Sequence, residues 1–162
     1  PDAMVLDCGC GGGANIKTML KLCPNGKVQG IDYSAVSVEK ARKVNASAIA
    51  AGRCAVQQAS VAELPFEAER FDVVTAFETV YFWPELAQNF REVYRMLKPG
   101  GIFFICNEAN GETTKDDKWT QIINGMTIYT DADLKVYLEQ AGFCQIQSHK
   151  NKKGWLCVTA QK

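Results

Sequence analysis

The sequence predicts an α/β domain with a mostly parallel sheet covered by helices on both faces. Strand-length apolar runs alternate with helix-period segments through five strands, and the first run, Val5-Leu6-Asp7, passes straight into the glycine turn Cys8-Gly9-Cys10-Gly11-Gly12-Gly13 that opens a helix. The final two runs share a short polar connection, which makes them a hairpin and one part of the sheet antiparallel.

Ala3 to Asp7 is an apolar run of strand length, and Ala14 to Leu22 follows with Ile16, Met19 and Leu20 at helical spacing, stopping at Cys23-Pro24-Asn25-Gly26. Lys27 to Asp32 is the second strand. Ser34 stands as the N-cap of a helix from Ala35 to about Ala51, ended by Gly52. This βαβ unit has the compactness that a right-handed parallel crossover needs. Cys54 to Gln58 is a third strand, and Phe71 to Phe77 a fourth beyond the loop Leu64-Pro65-Phe66. Pro84 starts a helix through Leu86 to Leu97, with Phe90, Val93, Tyr94 and Leu97 on one face, and Lys98-Pro99-Gly100-Gly101 breaks it. Ile102 to Cys106 is the fifth strand. A polar segment at Asn110 to Lys118, a helix-like stretch near Trp119 to Asn124 and a helix from Asp131 to Gln140 closed by Gly142 precede the strands Phe143 to Ser148 and Trp155 to Thr159.

At 162 residues and 47% hydrophobic, the chain suffices for one domain with a real core. Its 18 acidic and 18 basic residues balance, so no overall field favours nucleic acid or an anionic membrane, and a small partner is expected. No apolar stretch approaches a membrane span. The seven cysteines show no CxxC pair and read as reduced, small buried hydrophobes of a cytoplasmic protein, a thiolate metal or metalloid site being the alternative. The start at Pro1, close to the first strand, reads as a chain lacking its N-terminal helices; oligomeric state is not legible.

Closely spaced glycines let a backbone approach a ligand where a Cβ would clash, which marks a nucleotide-type cofactor site. Gly9-x-Gly11-x-x-Ala14 satisfies the dinucleotide fingerprint, and Asp32 stands near the spacing of a ribose-binding acid, so a nicotinamide oxidoreductase is one candidate. The combination of Asp7-Cys8-Gly9-Cys10-Gly11-Gly12-Gly13, Gly30-Ile31-Asp32-Tyr33-Ser34, Leu64-Pro65-Phe66 with Phe71-Asp72-Val73-Val74, Lys98-Pro99-Gly100-Gly101 and the closing hairpin resembles the class I S-adenosylmethionine-dependent methyltransferases. The resemblance covers essentially the whole chain, 1–162, and is greatest to the small-molecule branch that includes the ubiquinone and menaquinone biosynthesis enzymes.

That resemblance implies a Rossmann-like three-layer sandwich whose seven-stranded sheet has the order 3-2-1-4-5-7-6, with S-adenosyl-L-methionine as cofactor and a small-molecule methyl acceptor. It puts the cofactor's methionine end over Gly9, Gly11 and Gly13 and near Asp7, whose carboxylate suits an ammonium group directly or through water. Asp32 accepts from the ribose hydroxyls, and Tyr33 lies against the adenine. Ser60, flanked by Val61, aligns where many relatives carry an acid for the adenine amino group, and Phe77 falls at the carboxyl end of the fourth strand. Methyl transfer from a sulfonium leaves the protein to align the acceptor and exclude water. Glu78 and Tyr81, in Glu78-Thr79-Val80-Tyr81-Phe82-Trp83, are the candidate catalytic residues, with Asn107-Glu108 facing the same region; the aromatic residues also suit plain packing. The lone His149 reads as a surface residue. A cofactor-binding module without turnover and a methyltransferase of arsenite or another thiophile remain open.

Overall fold

In the computed structural model the chain forms β1 (Met4–Cys8), α1 (Ala14–Leu22), β2 (Lys27–Asp32), α2 (Ala35–Val44), α3 (Ala46–Ala50), β3 (Cys54–Gln58) and β4 (Phe71–Phe77). After a short 3-10 turn (Val80–Phe82) come α4 (Leu86–Met96), β5 (Leu97–Asn107), α5 (Thr114–Ile122), α6 (Asp131–Ala141), β6 (Cys144–Lys150) and β7 (Leu156–Gln161). The structure describes residues 1–112 and 114–162, with the backbone alone at 114, 115 and 117; residue 113 of the polar Asn110 to Lys118 segment lies outside the described residues. The seven strands are ordered β3-β2-β1-β4-β5-β7-β6, all neighbours being parallel except those of β7, which runs against β5 and β6. This is the predicted sheet.

Alternation along β1 sends Leu6 and Cys8 to one core and Val5 to the other. The larger core lies under α4 and α6, where Trp83 stacks on Phe103 at 6.2 Å and Phe90 meets Phe103 edge-on at 5.4 Å. Burying each such ring contributes about 1.5 to 3 kcal/mol. The smaller core joins α1 and α2 through Ile16, Leu20, Val38 and Ala41.

Three element boundaries differ by more than two residues from the sequence reading. The single helix expected from Ala35 to Ala51 is two, because buried Asn45 turns its amide onto the carbonyls of Ala41 and Gly13, both at 3.0 Å. A side chain that hydrogen-bonds the preceding turn competes with the helix. β5 begins at Leu97 rather than Ile102. Leu97 already pairs with Phe71, and the Lys98-Pro99-Gly100-Gly101 turn bulges outward before pairing resumes at Val73 and Ile102, held by Lys98 Nζ on Asp72 at 2.8 Å. Finally, α5 starts at Thr114, so part of the polar segment is helical. Among the described residues no helix is long and apolar enough to cross a membrane.

Candidate functional site

The carboxyl ends of β1, β2, β4 and β5 meet at one edge of the sheet, where ligands gather in open α/β folds. The glycine turn after β1 is fastened to β2 by its main chain: the amides of Gly9 and Cys10 both donate to the Ile31 carbonyl at 2.9 Å. Asp32 then ties two segments together, Oδ2 accepting from the Gly11 amide and Oδ1 from the Ser34 amide, each at 2.9 Å. Its carboxylate is thus held in place by the fold itself.

The glycines serve different ends. A Cβ at Gly9 would lie 2.1 Å from Thr79 Oγ1, so this glycine lets the turn pack against the loop after β4. A Cβ at Gly11 would meet nothing within 4 Å, which leaves open space above the turn. Both residues have positive φ, 75° and 51°, a region that favours glycine. Gly13 caps α1 and gives its carbonyl to Asn45.

A cleft of about 450 Å³ opens beside this turn. Gly9, Asp32, Tyr33, Ser60 and Val61 line one side, and Thr79, Phe82 and Trp83 line the other with the 124–125 loop. Tyr33 is exposed and free to cover a ligand, while the Ser60 hydroxyl accepts from the Ala62 amide at 3.2 Å. Thus five of the expected cofactor residues share one cleft. Phe77 does not line it. Its ring packs edge-on against Phe104 at 5.6 Å and against the smaller core, because β4 alternation turns it toward α1 and α2. Asp7, Gly11 and Gly13 are not among its lining residues.

Asp7 lies beneath the turn, 1% exposed. Its Oδ1 accepts from the Thr75 hydroxyl at 2.8 Å, and its Oδ2 has no partner among the described residues. Burial raises its pKa from the ordinary 3.8 to about 7, against the Thr75 hydrogen bond and with help from the Asp32 charge. The same causes, burial first and then the charges of Asp7 and Asp32, push the Cys10 thiol up to about 12, which makes it inert at neutral pH. All seven cysteines are free, and among the described residues no three metal-ligating side chains are grouped for a metal ion.

A second cavity of about 280 Å³ lies beyond Phe82, whose side chain it shares with the first cleft. Glu78 and Tyr81 are both here, with Glu108, Trp119, Ile123 and Met126. Glu78 has φ 56°, uncommon for a residue with a Cβ, and its Oε1 accepts from the Tyr81 hydroxyl at 3.2 Å and from the Glu108 amide. Burial raises the Glu78 pKa above the usual glutamate value, opposed by those two hydrogen bonds. The expected aromatic cluster divides: Trp83 is core, Tyr81 is buried with its hydroxyl on Glu78, and Phe82 stands half exposed between the cavities. Trp119 and Met126 escaped the sequence reading. Trp119 lies on α5 and Met126 in the segment after it, a polar stretch with weak periodicity, and only the fold brings them together with Glu78, Tyr81 and Glu108. His149 is exposed on β6 and lines neither cavity.

A family model described as a methyltransferase domain matches residues 6–105. Among curated proteins, the chain is similar to cycloartenol-C-24-methyltransferase 1 of Oryza sativa subsp. japonica, 30% identical over 105 residues that make up 65% of this chain and 30% of that protein. It is also similar to demethylmenaquinone methyltransferase of Symbiobacterium thermophilum, 33% identical over 111 residues, 68% of this chain and 44% of that one. The chain therefore spans less than half the length of these relatives. Geranyl diphosphate C-methyltransferase from Streptomyces coelicolor, solved with S-adenosyl-L-homocysteine, superposes with a TM-score of 0.85 over 99% of this chain and 70% of that chain at 14% identity, a likeness of fold.

Proposed function

Because the chain belongs to the methyltransferase domain family, we infer that it transfers a methyl group from S-adenosylmethionine to a small-molecule acceptor. The observation that carries this reading is the Asp32 carboxylate, held by the Gly11 and Ser34 amides at the edge of a cleft whose floor is a glycine turn. Bound there, S-adenosylmethionine supplies an electrophilic methyl on a sulfonium whose departure is as a neutral sulfide.

The chain's residues fit that group. Asp32 accepts from the ribose hydroxyls with the lone pairs its two amide contacts leave free. Tyr33 and Val61 offer flat and apolar surface to the adenine, and Ser60 offers a hydroxyl. The open space over Gly11 admits the methionine end, and the unpartnered Oδ2 of Asp7 is the buried acceptor that an ammonium group, directly or through water, satisfies. A buried carboxyl poised close to neutrality ionises readily once a cation arrives. Glu78, oriented by Tyr81, stands on the acceptor side as a proton acceptor. The free thiols agree with a cytoplasmic setting.

Calorimetric titration with S-adenosylhomocysteine tests this: micromolar-range binding is expected for the chain and its loss in Asp32→Ala. Folded chain that gives no heat with S-adenosylhomocysteine or S-adenosylmethionine, yet binds NAD, would point to the oxidoreductase instead. The short span of the chain relative to its relatives motivates a turnover assay after binding is established, since binding without turnover identifies a cofactor-binding module.

A further inference from the structure

We infer that the cavity beside Glu78 takes an amine with an apolar body in its ammonium form, and that the Glu78 carboxylate removes a proton from it. This rests on the methyl-transfer reading above, to which it adds the class of acceptor.

Charge comes first. Among the described residues the lining of this cavity includes two carboxylates, Glu78 and Glu108, and no lysine or arginine; Lys118 and Lys153 belong to the adjoining, larger cleft of about 610 Å³. A cation is therefore attracted to the Glu78 end, and an anion placed there meets repulsion without a counter-charge. The walls supply the second argument. Tyr81, Phe82 and Trp119 are aromatic, and Ile123 and Met126 apolar, a surface on which a cation with a hydrocarbon body gains from ring quadrupoles and from burial. The cavity's volume is near the lower end of the range for small-molecule sites, which suits a single ring with a short side chain.

Orientation is the third argument. The Tyr81 hydroxyl and the Glu108 amide both bind Glu78 Oε1, so the carboxylate is fixed in one direction and neither donor touches Oε2. That oxygen receives the proton: R–NH3⁺ and the Glu78 carboxylate become R–NH2 and the Glu78 carboxylic acid, with the nitrogen keeping the electron pair of the broken N–H bond. The neutral amine is the nucleophile that methyl transfer requires. Burial raises the Glu78 pKa, which narrows the gap to the amine and favours this exchange. Phe82 borders both cavities, so the Glu78 cavity adjoins the cleft proposed for the cofactor.

The experiment uses the whole chain, with phenethylamine as probe and 3-phenylpropanoate as its anionic counterpart, followed by tryptophan fluorescence and calorimetry with and without S-adenosylhomocysteine. Phenethylamine should bind at least about tenfold more tightly than 3-phenylpropanoate, and Glu78→Gln should weaken it about tenfold, which is about 1.4 kcal/mol. S-adenosylhomocysteine binding by Glu78→Gln reports that the variant is folded. If it is not folded, Glu108→Gln takes its place, with a smaller but measurable loss expected. Equal binding of the two probes, or amine binding unchanged in the folded variant, overturns the inference. Amine binding by chain that ignores S-adenosylhomocysteine instead supports the amine site and overturns the methyl-transfer reading, so the two failures are distinct.

Discussion

The buried carboxyl of Asp7 makes the apo chain lose stability as the pH rises, and Asp7→Asn should remove this loss. Its pKa in the folded chain is raised from 3.8 to about 7, with burial the leading cause. The folded state therefore holds a proton that the unfolded state has released, so stability is full below about pH 4 and falls until about pH 7. The displacement corresponds to about 4 kcal/mol lost by neutral pH. Asparagine keeps the shape and an acceptor for Thr75, and it carries no charge to desolvate. Its amide nitrogen takes the place of the unpartnered Oδ2, which costs about 1 to 3 kcal/mol at every pH. The pH-dependent part is thus isolated by subtraction: the stability of Asp7→Asn minus that of the wild type should climb by about 4 kcal/mol between about pH 4 and pH 8. Urea denaturation across that range measures it, with S-adenosylhomocysteine binding weakened in the variant. A difference that stays flat, or falls with pH, refutes the assignment of a desolvated carboxyl under the turn.

The remaining predictions concern the turn and its supports. Gly9→Ala should cost about 3 kcal/mol, from its positive φ and the clash with Thr79, whereas Gly11→Ala should cost about 1 kcal/mol and still weaken S-adenosylhomocysteine at least about tenfold; thermal melts with calorimetry on both variants separate the two roles. Asn45→Ala should lose about 2 kcal/mol, since its amide holds the Gly13 and Ala41 carbonyls, and urea melts would show no loss if those bonds are immaterial. Asn89 is fully buried in α4 with neither amide atom partnered, so Asn89→Leu should raise stability by about 1 kcal/mol; an unchanged or lower urea midpoint would mean that the amide is satisfied.

The sheet was legible because its strands are short apolar runs punctuated by glycine and proline, and the α1 bounds follow from Ile16, Met19 and Leu20 at helical spacing. The errors arose where tertiary contacts overrode local pattern. Asn45 reads as an ordinary helix residue until its amide finds Gly13, thirty-two positions earlier in the chain. Gly100 and Gly101 read as a terminator, yet the chain there bulges and pairs on, with Leu97 already in register with Phe71. Phe77 fell at a strand end, and its side depended on a strand phase that a mostly buried run, with Asp72 and Thr75 on opposite phases among apolar residues, does not display.

The same contrast separates the halves of the site. The contacts proposed for the cofactor lie where strand ends, an acid and a glycine turn adjoin in sequence and are then pinned by main-chain bonds, so Asp7, Gly9 and Asp32 stand out from the order of residues alone. The second cavity draws Glu78 and Tyr81 from the loop after β4, Glu108 from the end of β5 and Trp119 and Met126 from α5 and beyond. The first two are tied through the sheet, the Glu78 amide donating to the Cys106 carbonyl at 2.9 Å, whereas Trp119 and Met126 lie outside any strand. Under the proposed reading, replacements of Trp119 or Met126 should alter acceptor binding without disturbing the glycine turn, whereas Thr79 must be kept, because its side chain occupies the space that Gly9 vacates. Among the described residues Phe82 alone lines both cavities, so its replacement should change the proposed cofactor and acceptor binding together.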